Sequence, residues 1–289
     1  MKKIVVSLYG GLGNQLFQFA TGFALSKHHD CELVFDLSWF DSVHKSKGTT
    51  LRKFSLAPFH LNIEQQSLGP GKLWSKINRL IFLKRKKIKI FREKTPLFDP
   101  VLFRKQAPLW LDGYWQSPKY FESWATEIRE KIGRPKEISA KNKEMLERIS
   151  NSESICVHVR RGDYVSNAKA NNFHGLCSLD YYREGVKKTK SNFKDPHCFV
   201  FSDDPAWVDK NFEVGVPCTV VNINGPDEPH QDLWLMAACK NFVIANSSLS
   251  WWGAWLGNYS NKTVVAPFEW FRNKPMLAND LIPREWIRI

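Results

Sequence analysis

The sequence predicts an α/β fold with two Rossmann-like domains, because short apolar runs alternate with longer amphipathic stretches along its 289 residues. A second observation is that glycine-rich or polar motifs directly follow several of the apolar runs. The runs of strand length are 4–8, 32–36, 109–112, 155–160, 198–202, 219–223, 242–246 and 263–266. The helical stretches among them include 14–28, 122–132, 140–150, 180–190 and 230–240.

The boundary between the two domains is predicted between about 135 and 153. The segment from Gly133 to Lys136 interrupts a helical stretch, and the following residues are polar and charged. We therefore predict an N-terminal domain of residues 1–145 and a C-terminal domain of residues 146–289.

The first predicted strand leads into the glycine turn Gly10-Gly11-Leu12-Gly13-Asn14 and then into an amphipathic helix. Glycines at such a turn let a ligand approach the backbone closely. One interpretation is a dinucleotide-binding fingerprint with Asp36 as the ribose-binding acid. That fingerprint requires Gly or Ala where this chain has Leu16, so the match is incomplete.

The predicted strand at 155–160 ends in charged residues. Its periodicity puts His158 and Arg160 on one face, toward the carboxyl edge where open α/β sheets bind ligands. Arg160 has no obvious local acid on its own face, and its planar guanidinium is suited to a diphosphate. Arg161 has two open interpretations, a phosphate contact or an ion pair with Asp163 that holds the loop.

The predicted strand at 242–246 runs into Asn246, Ser247 and Ser248, which open a predicted helix. A hydroxyl-rich turn at a helix N-terminus offers backbone N–H groups, serine donors and the positive end of the helix dipole. This combination predicts a phosphate-binding turn. The alternative is an ordinary N-cap followed by core tryptophans.

Composition limits the class of protein. Apolar residues make up 43% of the chain, with 12 Trp and 20 Phe, which is typical of a globular protein with well-filled cores. The six cysteines are spread along the chain without a C-x-x-C pair, so we expect reduced, buried thiols in a cytoplasmic protein. No apolar run reaches 18 residues, and no signal-like segment precedes the first strand.

Much of the net charge of +13 lies in residues 72–94, where basic residues interleave with apolar ones. This pattern predicts a segment that binds a membrane surface, and the alternative is a solvated helix that covers its own domain. A nucleic-acid-binding protein would also explain the charge, but it would leave the strand end at 158–163 and the serine turn without a role. We therefore expect no nucleic-acid partner.

Taken together, these motifs resemble those of the α-1,2-fucosyltransferases, glycosyltransferase family 11. The resemblance rests on four blocks in the same order, namely Gly10 to Gln18, His158 to Tyr164, Phe201 to Asp204, and Asp232 to Met236 continuing at Asn246 to Ala254. It implies a GT-B arrangement, in which two Rossmann-like domains face each other across a cleft. The donor would contact mostly the C-terminal domain and the acceptor mostly the N-terminal one.

By this resemblance the donor is GDP-fucose. Arg160 would bind its β-phosphate beside Ser247 and Ser248, and His158 and Asp232 would hydrogen-bond the guanine. The remaining residues of the implied donor site are Gly11, Gly13, Asp204 and Asn246, and the implied catalytic residues are Arg160, Asn14 and Asp163.

The implied reaction inverts the anomeric centre and requires no metal. Asn14 would reach toward the fucose or the departing phosphate. Asp203 and Asp204 are adjacent and lack the spacing of a metal-binding D-x-D, so we expect them to cap a turn or contact the ribose. The identity of the general base stays open: either Asp163 accepts the proton, or no side chain acts as the base.

The resemblance also implies the acceptor, the 2-hydroxyl of a terminal β-galactoside, free or lipid-linked. Its binding residues are unassigned, with Tyr114, Trp115 and the segments 41–55 and 165–178 as candidate stacking surfaces. We expect a bacterial enzyme of O-antigen or other surface-glycan synthesis at the inner face of the cytoplasmic membrane. A non-catalytic sugar-nucleotide or glycan-binding module is the alternative interpretation.

Overall fold

The computed structural model describes residues 2–42, 52–61, 88–162, 165, 171–173, 175–272 and 274–289. Contacts divide the chain into two compact units, Met1–Ile132 and Gly133–Ile289. Each unit contains one parallel sheet with helices, so the predicted α/β class is confirmed.

The division between the units falls before the helix Ala140–Ser150, whereas the boundary predicted at 145/146 lies inside it. Asn142 on that helix exchanges two amide hydrogen bonds with Asn224, with N···O distances of 2.8 and 2.9 Å. Because Asn224 belongs to the C-terminal sheet region, these contacts tie the whole helix to the C-terminal unit.

The N-terminal unit is built on a four-stranded parallel sheet in the order β2-β1-β4-β3. Its strands are β1 (Lys3–Ser7), β2 (Glu32–Asp36), β3 (Lys89–Arg92) and β4 (Leu109–Asp112). Its helices are α1 (Leu12–His28), α2 (Ser38–Ser42) and α3 (Ala125–Ile132), with 3-10 turns at Pro100–Arg104, Pro118–Tyr120 and Glu122–Trp124. Helix α1 connects β1 to β2 and is buried along almost its whole length.

Strand β3 was not predicted, because its sequence Lys-Ile-Phe-Arg has no apolar run and its alternation is short. Pairing with β4 forms the strand, with Lys89 aligned to Leu109 and Arg92 to Asp112. Because 89–92 is a strand, the alternative interpretation of 72–94 as a solvated helix is wrong for these residues. Residues 72–87 lie outside the described residues.

The C-terminal unit contains a six-stranded parallel sheet in the order β10-β9-β8-β5-β6-β7. Its strands are β5 (Glu153–Val159), β6 (Pro196–Ser202), β7 (Cys218–Val220), β8 (Asn241–Val243), β9 (Val264–Ala266) and β10 (Ile287–Arg288). Its helices are α4 (Ala140–Ser150), α5 (Leu179–Thr189), α6 (Pro205–Asn211), α7 (Pro229–Ala237) and α8 (Ser248–Leu256), with a 3-10 turn at Pro275–Ala278. Strand β10 and helix α6 were not predicted from the sequence.

The central strand β5 is buried from Ser154 to Val159, on both faces. Ile155, Val157 and Val159 belong to a core cluster that includes Val186 of α5. Helices cover both faces of a parallel sheet, so its inner strands have no solvent face. His158 is therefore buried as well, although strict alternation had placed it on the polar face.

All six cysteines carry free thiols. Cys156, Cys198 and Cys239 are buried, as predicted, but Cys218 is exposed on the edge strand β7. Within the described ranges, no helix has the length and apolar character needed to cross a bilayer.

Candidate functional site

The candidate site of the C-terminal unit lies where the strand order of its sheet reverses. The chain runs from β5 outward through β6 and β7, then returns to place β8 on the other side of β5. In open α/β sheets this reversal creates a crevice at the carboxyl ends of the strands. Arg160 follows β5 and Ser247 follows β8, so both flank this point.

One carboxylate organises the backbone after β5. Asp203 follows β6 and lies 2.9 Å from Arg160, measured from Oδ2 to Nη1. Its Oδ1 accepts the backbone N–H of Arg161 at 2.8 Å, and the N–H of Gly162 also donates to this carboxylate. A Cβ on Gly162 would lie 2.5 Å from Asp203 Oδ2, so this approach requires glycine.

Asp203 is thus the acid partner of Arg160 that the sequence analysis did not find. Partial burial alone would raise the pKa of Asp203, but Arg160 and the N–H groups of Arg161 and Gly162 outweigh it and lower the pKa. The carboxylate therefore stays charged at neutral pH. The sequence contains a hint of this pair, because the Ser-Asp-Asp triplet ends a predicted strand. The sequence does not reveal that this strand lies beside β5, since that depends on the order of strands in the sheet.

The second aspartate has a different set of contacts. Asp204 caps α6 by accepting the backbone N–H of Trp207 at 3.3 Å. It also pairs with Arg161 Nε at 3.3 Å, and the Arg161 guanidinium stacks on the Trp207 ring at 3.7 Å. The expectation that the aspartates cap a turn holds for Asp204. Asp163, the predicted ion-pair partner of Arg161 and a predicted catalytic residue, lies outside the described residues.

His158 is only 3% exposed, at the end of β5. Burial, with a smaller contribution from Arg160, lowers its pKa to about 4 against the opposing effect of Asp203. The imidazole is therefore neutral at physiological pH and offers one donor and one acceptor nitrogen. Its Nδ1 is buried without a hydrogen-bond partner.

The turn after β8 begins helix α8, as predicted. Ser247 is the N-cap residue, yet its hydroxyl makes no capping hydrogen bond, and Ser248 is the first helical residue. The first backbone N–H groups of a helix lack intrahelical acceptors, so this end carries partial positive charge. Asn246 is buried, and its Nδ2 donates to the carbonyls of Gly175 at 3.3 Å and Trp270 at 3.4 Å.

A cavity of about 780 Å³ adjoins Asn246 at the carboxyl ends of β8, β9 and β10. Its lining combines aromatic, acidic and basic side chains, including Tyr181, Phe268, Glu269 and Arg272. The cavity therefore offers both apolar contact and charged hydrogen-bonding groups beside the serine turn.

Asp232 lies in the first turn of α7, the helix through which the chain returns from β7 to β8. It accepts a hydrogen bond from Asn224 Nδ2 at 2.7 Å. Burial raises its pKa to about 6 and Glu228 adds to the shift, whereas Asn224 and Lys141 oppose it. Asn224 also bonds to Asn142 of α4, so Asp232 belongs to a hydrogen-bond network that joins α7 to α4.

The predicted residues of the N-terminal unit occupy the turn after β1. Gly11 is the N-cap of α1, Gly13 is buried in its first turn, and Asn14 Oδ1 accepts from Gln116 Nε2 at 2.8 Å. Asp36, the ribose-binding acid of the dinucleotide interpretation, instead accepts the N–H of Ser38 at 3.1 Å and is buried. These contacts give Asp36 a role in the turn after β2.

A family model described as "Glycosyl transferase family 11" matches residues 2–289. This chain belongs to glycosyl transferase family 11. The family 11 chain is 34% identical to an "Alpha-1,2-colitosyltransferase" of Escherichia coli, over 100% of its own length and 99% of that protein. It is 30% identical to the "O-antigen biosynthesis glycosyltransferase WbnK" of Escherichia coli, over 98% of its own length and 99% of that protein.

The fold of this family 11 glycosyltransferase is similar to that of the solved NodZ alpha-1,6-fucosyltransferase co-crystallized with GDP. The two share 18% sequence identity and a TM-score of 0.54, over 88% of this chain and 91% of NodZ. The predicted family and the GT-B class of the fold are therefore confirmed.

Proposed function

We propose that this glycosyltransferase transfers L-fucose from GDP-β-L-fucose to the 2-hydroxyl of a terminal β-galactoside with inversion. The observation that carries the proposal is the switch point of the C-terminal sheet, where Arg160 and the N-terminus of α8 follow neighbouring strands. Both groups suit a diphosphate, because a guanidinium and a helix N-terminus each bind phosphate oxygens. Crystals of the similarly folded NodZ with GDP support a guanine nucleotide as the ligand.

In the proposed reaction, the acceptor oxygen bonds to C1 of fucose as the bond from C1 to the β-phosphate oxygen breaks. GDP leaves with the electron pair, and the hydroxyl proton passes to a base, either Asp163 or a phosphate oxygen. Negative charge increases on the β-phosphate during this step. Arg160, held by Asp203, and the N–H groups of α8 stabilise that charge without reorganising.

His158 and Asp232 are proposed to form hydrogen bonds with the guanine base. A neutral imidazole can donate to a carbonyl oxygen of the base, and a carboxylate can accept from its N–H groups. Asn14 is proposed to contact the fucose or the departing phosphate, with Gly11 and Gly13 allowing close approach of the backbone. We propose no resident metal, because cationic and N–H groups take its place.

The test measures GDP release from purified protein with GDP-fucose, with and without lactose, in the presence of EDTA. We expect lactose-stimulated release that survives EDTA and falls at least about a hundredfold in Arg160→Ala. Arg183→Ala is the matched control, since Arg183 is half exposed and pairs with Asp180 on α5. GDP-fucose binding without turnover on any galactoside would favour a non-catalytic module, and release that requires a metal would overturn the metal-free mechanism.

A second donor deserves the same assay, because the E. coli relative identical at 34% over the whole chain is named for colitose. Colitose is the 3-deoxy analogue of fucose. A site that hydrogen-bonds the 3-hydroxyl of fucose would reject colitose strongly, whereas a site without such a contact would accept both sugars. The ratio of kcat/KM for the two GDP-sugars assigns the donor.

We further propose that the enzyme acts in O-antigen synthesis and attaches to the membrane surface through 72–94. The support is the name of the relative WbnK and the excess of basic residues in that segment. Co-sedimentation with vesicles tests the attachment. Binding that depends on anionic lipid and weakens at high salt is expected, and no binding would contradict it.

A further inference from the structure

The sheet of the N-terminal unit has a switch point of its own. From β1 the chain crosses to β2 on one side, and β4 lies on the other side of β1. The loops after β1 and β4 therefore lie next to each other at the carboxyl edge, where open α/β sheets bind ligands. Tyr9 follows β1 and Tyr114 follows β4.

These two loops form an aromatic surface. The rings of Tyr9 and Tyr114 meet edge to face with centroids 4.9 Å apart, and Trp39 lies 6.3 Å from Tyr9. Tyr114 is 43% exposed, and Tyr9 and Trp39 are half-buried. Exposed aromatic faces beside polar groups are typical of sites that bind the apolar face of a ring-shaped ligand.

The loop that carries Tyr114 includes a buried carboxylate and a strained backbone conformation, and both are energetically unfavourable. Glu93 accepts the backbone N–H groups of Tyr114 at 2.7 Å and Trp115 at 2.9 Å, and burial raises its pKa despite these bonds. Trp115 is fully buried with a φ of +57°, a left-handed conformation that a bulky residue rarely adopts. Strain of this kind persists where the surroundings fix it, and it clusters at functional sites.

Polar groups border the aromatic surface. The amides of Asn14 and Gln116 bond to each other across the two loops at 2.8 Å. Gln18 also connects these two loops: it accepts a hydrogen bond from Tyr9 N–H at 3.0 Å and donates one to the Gly113 carbonyl at 3.3 Å. Each carboxylate oxygen of Glu93 can accept a second hydrogen bond.

The acidic groups at this edge already have partners, since Asp112 pairs with Arg92 at 3.2 Å and Glu93 accepts two loop N–H groups. The pKa of Tyr9 is raised by burial first, and then by the negative charges of Asp112 and Glu93 and by Tyr114. The aromatic rings and the amide groups of this edge are complementary to a ring-shaped ligand that carries hydroxyl groups. An uncharged sugar provides both an apolar ring face and hydroxyl groups.

We infer that Tyr9 and Tyr114 bind the terminal hexopyranose of the acceptor glycan, stacking on its apolar face while Gln116 and Glu93 hydrogen-bond its hydroxyls. This inference rests on the proposed function. It selects Tyr114 from the stacking surfaces predicted from the sequence and adds Tyr9, Gln116 and Glu93 at the same edge of the N-terminal sheet.

The first test replaces Tyr114 with Ala and measures steady-state kinetics for both substrates. We expect the KM for lactose to rise roughly tenfold while the KM for GDP-fucose stays unchanged. Tyr114→Phe keeps the ring and should restore the lactose KM. Tyr259→Ala is the matched control, because Tyr259 is 39% exposed in the other unit.

Glu93→Gln is the second test, since an amide has one acceptor oxygen and leaves one loop N–H without a partner. Its lactose KM should also rise, with the GDP-fucose KM unchanged. A lactose KM unaffected by Tyr114→Ala and Glu93→Gln would overturn the inference and leave the proposed function intact. If the wild-type protein transfers no fucose, saturation-transfer NMR with methyl β-galactoside tests sugar binding to the aromatic surface directly. Binding lost in Tyr114→Ala supports the surface, and absent or unchanged binding overturns it.

Discussion

At the scale of single residues, the adjacent aspartates Asp203 and Asp204 make different contacts. Asp203 holds Arg160 and the following backbone, whereas Asp204 caps α6 and pairs with Arg161. The two arginine–aspartate pairs involve adjacent residues in the sequence, but they stabilise different parts of the structure. The first orients a guanidinium at the switch point, and the second stabilises the helix beside it.

Asp203→Asn should weaken GDP binding by at least about tenfold, because the amide loses the ion pair and one of its two acceptor oxygens. Isothermal titration with GDP measures this effect. In a double-mutant cycle with Arg160→Ala the two losses should not add, since both act through one contact. Asp180→Asn, an exposed aspartate on α5, is the control. Additive losses would show that Asp203 acts independently of Arg160.

His158 should make the stability of the protein depend on pH in a specific window. Its pKa is about 4 when folded, below the unfolded value of about 6.5, so the unfolded chain binds the proton more tightly. The stability contributed by neutral His158 is present above pH 6.5 and is lost as pH falls toward 4. The free energy of unfolding should fall by up to about 1.4 kcal/mol per pH unit.

Urea unfolding of the wild-type protein and of His158→Asn between pH 7 and 4.5 tests this expectation. The variant should lose much of the pH dependence, and the exposed His60→Asn should keep it. Equal slopes for all three proteins would contradict the assignment.

The proposed contact between Asp232 and guanine would make nucleotide binding depend on the protonation of Asp232. Its pKa is raised to about 6, and the proposed contact with guanine requires the carboxylate. The Kd for GDP should therefore rise as pH falls below 6, by up to about tenfold per unit. Titrations at pH 7.5, 6 and 5 measure it, with Asp232→Asn expected to bind weakly and without this slope. A flat profile in the wild-type protein would rule out the proposed contact.

At the scale of elements, short helices are positioned by caps and by the strand they follow. Helix α6 spans only Pro205–Asn211, so its stability depends on Asp204 at its N-terminus and on packing against the sheet. Helix α8 starts from a serine whose hydroxyl does not cap it, and the buried Trp251 anchors it by donating Nε1–H to the Leu281 carbonyl at 2.9 Å.

Asp204→Ala should destabilise the protein by about 1 kcal/mol, since a lost N-cap costs this much. The melting temperature should drop by about 2–4 °C. Asp209→Ala is the matched control, because Asp209 lies exposed near the other end of the same helix, where a negative charge opposes the dipole. Equal melting temperatures for Asp204→Ala and Asp209→Ala would contradict a capping role.

At the scale of the whole molecule, each unit presents its own switch point at the carboxyl edge of a parallel sheet. The one in Gly133–Ile289 carries the arginine and the serine turn, and the one in Met1–Ile132 carries the aromatic surface. Under the proposed function, the charged donor and the neutral acceptor would bind to these two chemically different surfaces.

Hydrogen exchange with mass spectrometry checks this division of ligands. GDP should slow amide exchange most strongly after β5, β6 and β8, and lactose should slow it most strongly after β1 and β4. Both ligands stabilise the loops they contact by mass action, without any need for a wider rearrangement. GDP protection centred on the loops after β1 and β4 would contradict the assignment.

The sequence by itself determined the α/β class, the family and the loops that carry the candidate site, because strand periodicity and the motifs at strand ends are local properties. His158, Arg160 and Ser247 all lie at the predicted ends of strands. Strands β3 and β10 escaped prediction, since pairing with a neighbour rather than an apolar pattern forms them.

Only the tertiary structure decided which loops are neighbours. Asp203 is the partner of Arg160 because β6 lies beside β5, and Tyr9 meets Tyr114 because β4 lies beside β1. Burial, too, is a tertiary property, and it keeps His158 neutral and raises the pKa of Glu93. The physical reason is that strand order and desolvation depend on contacts between residues far apart in the chain, which no local pattern records.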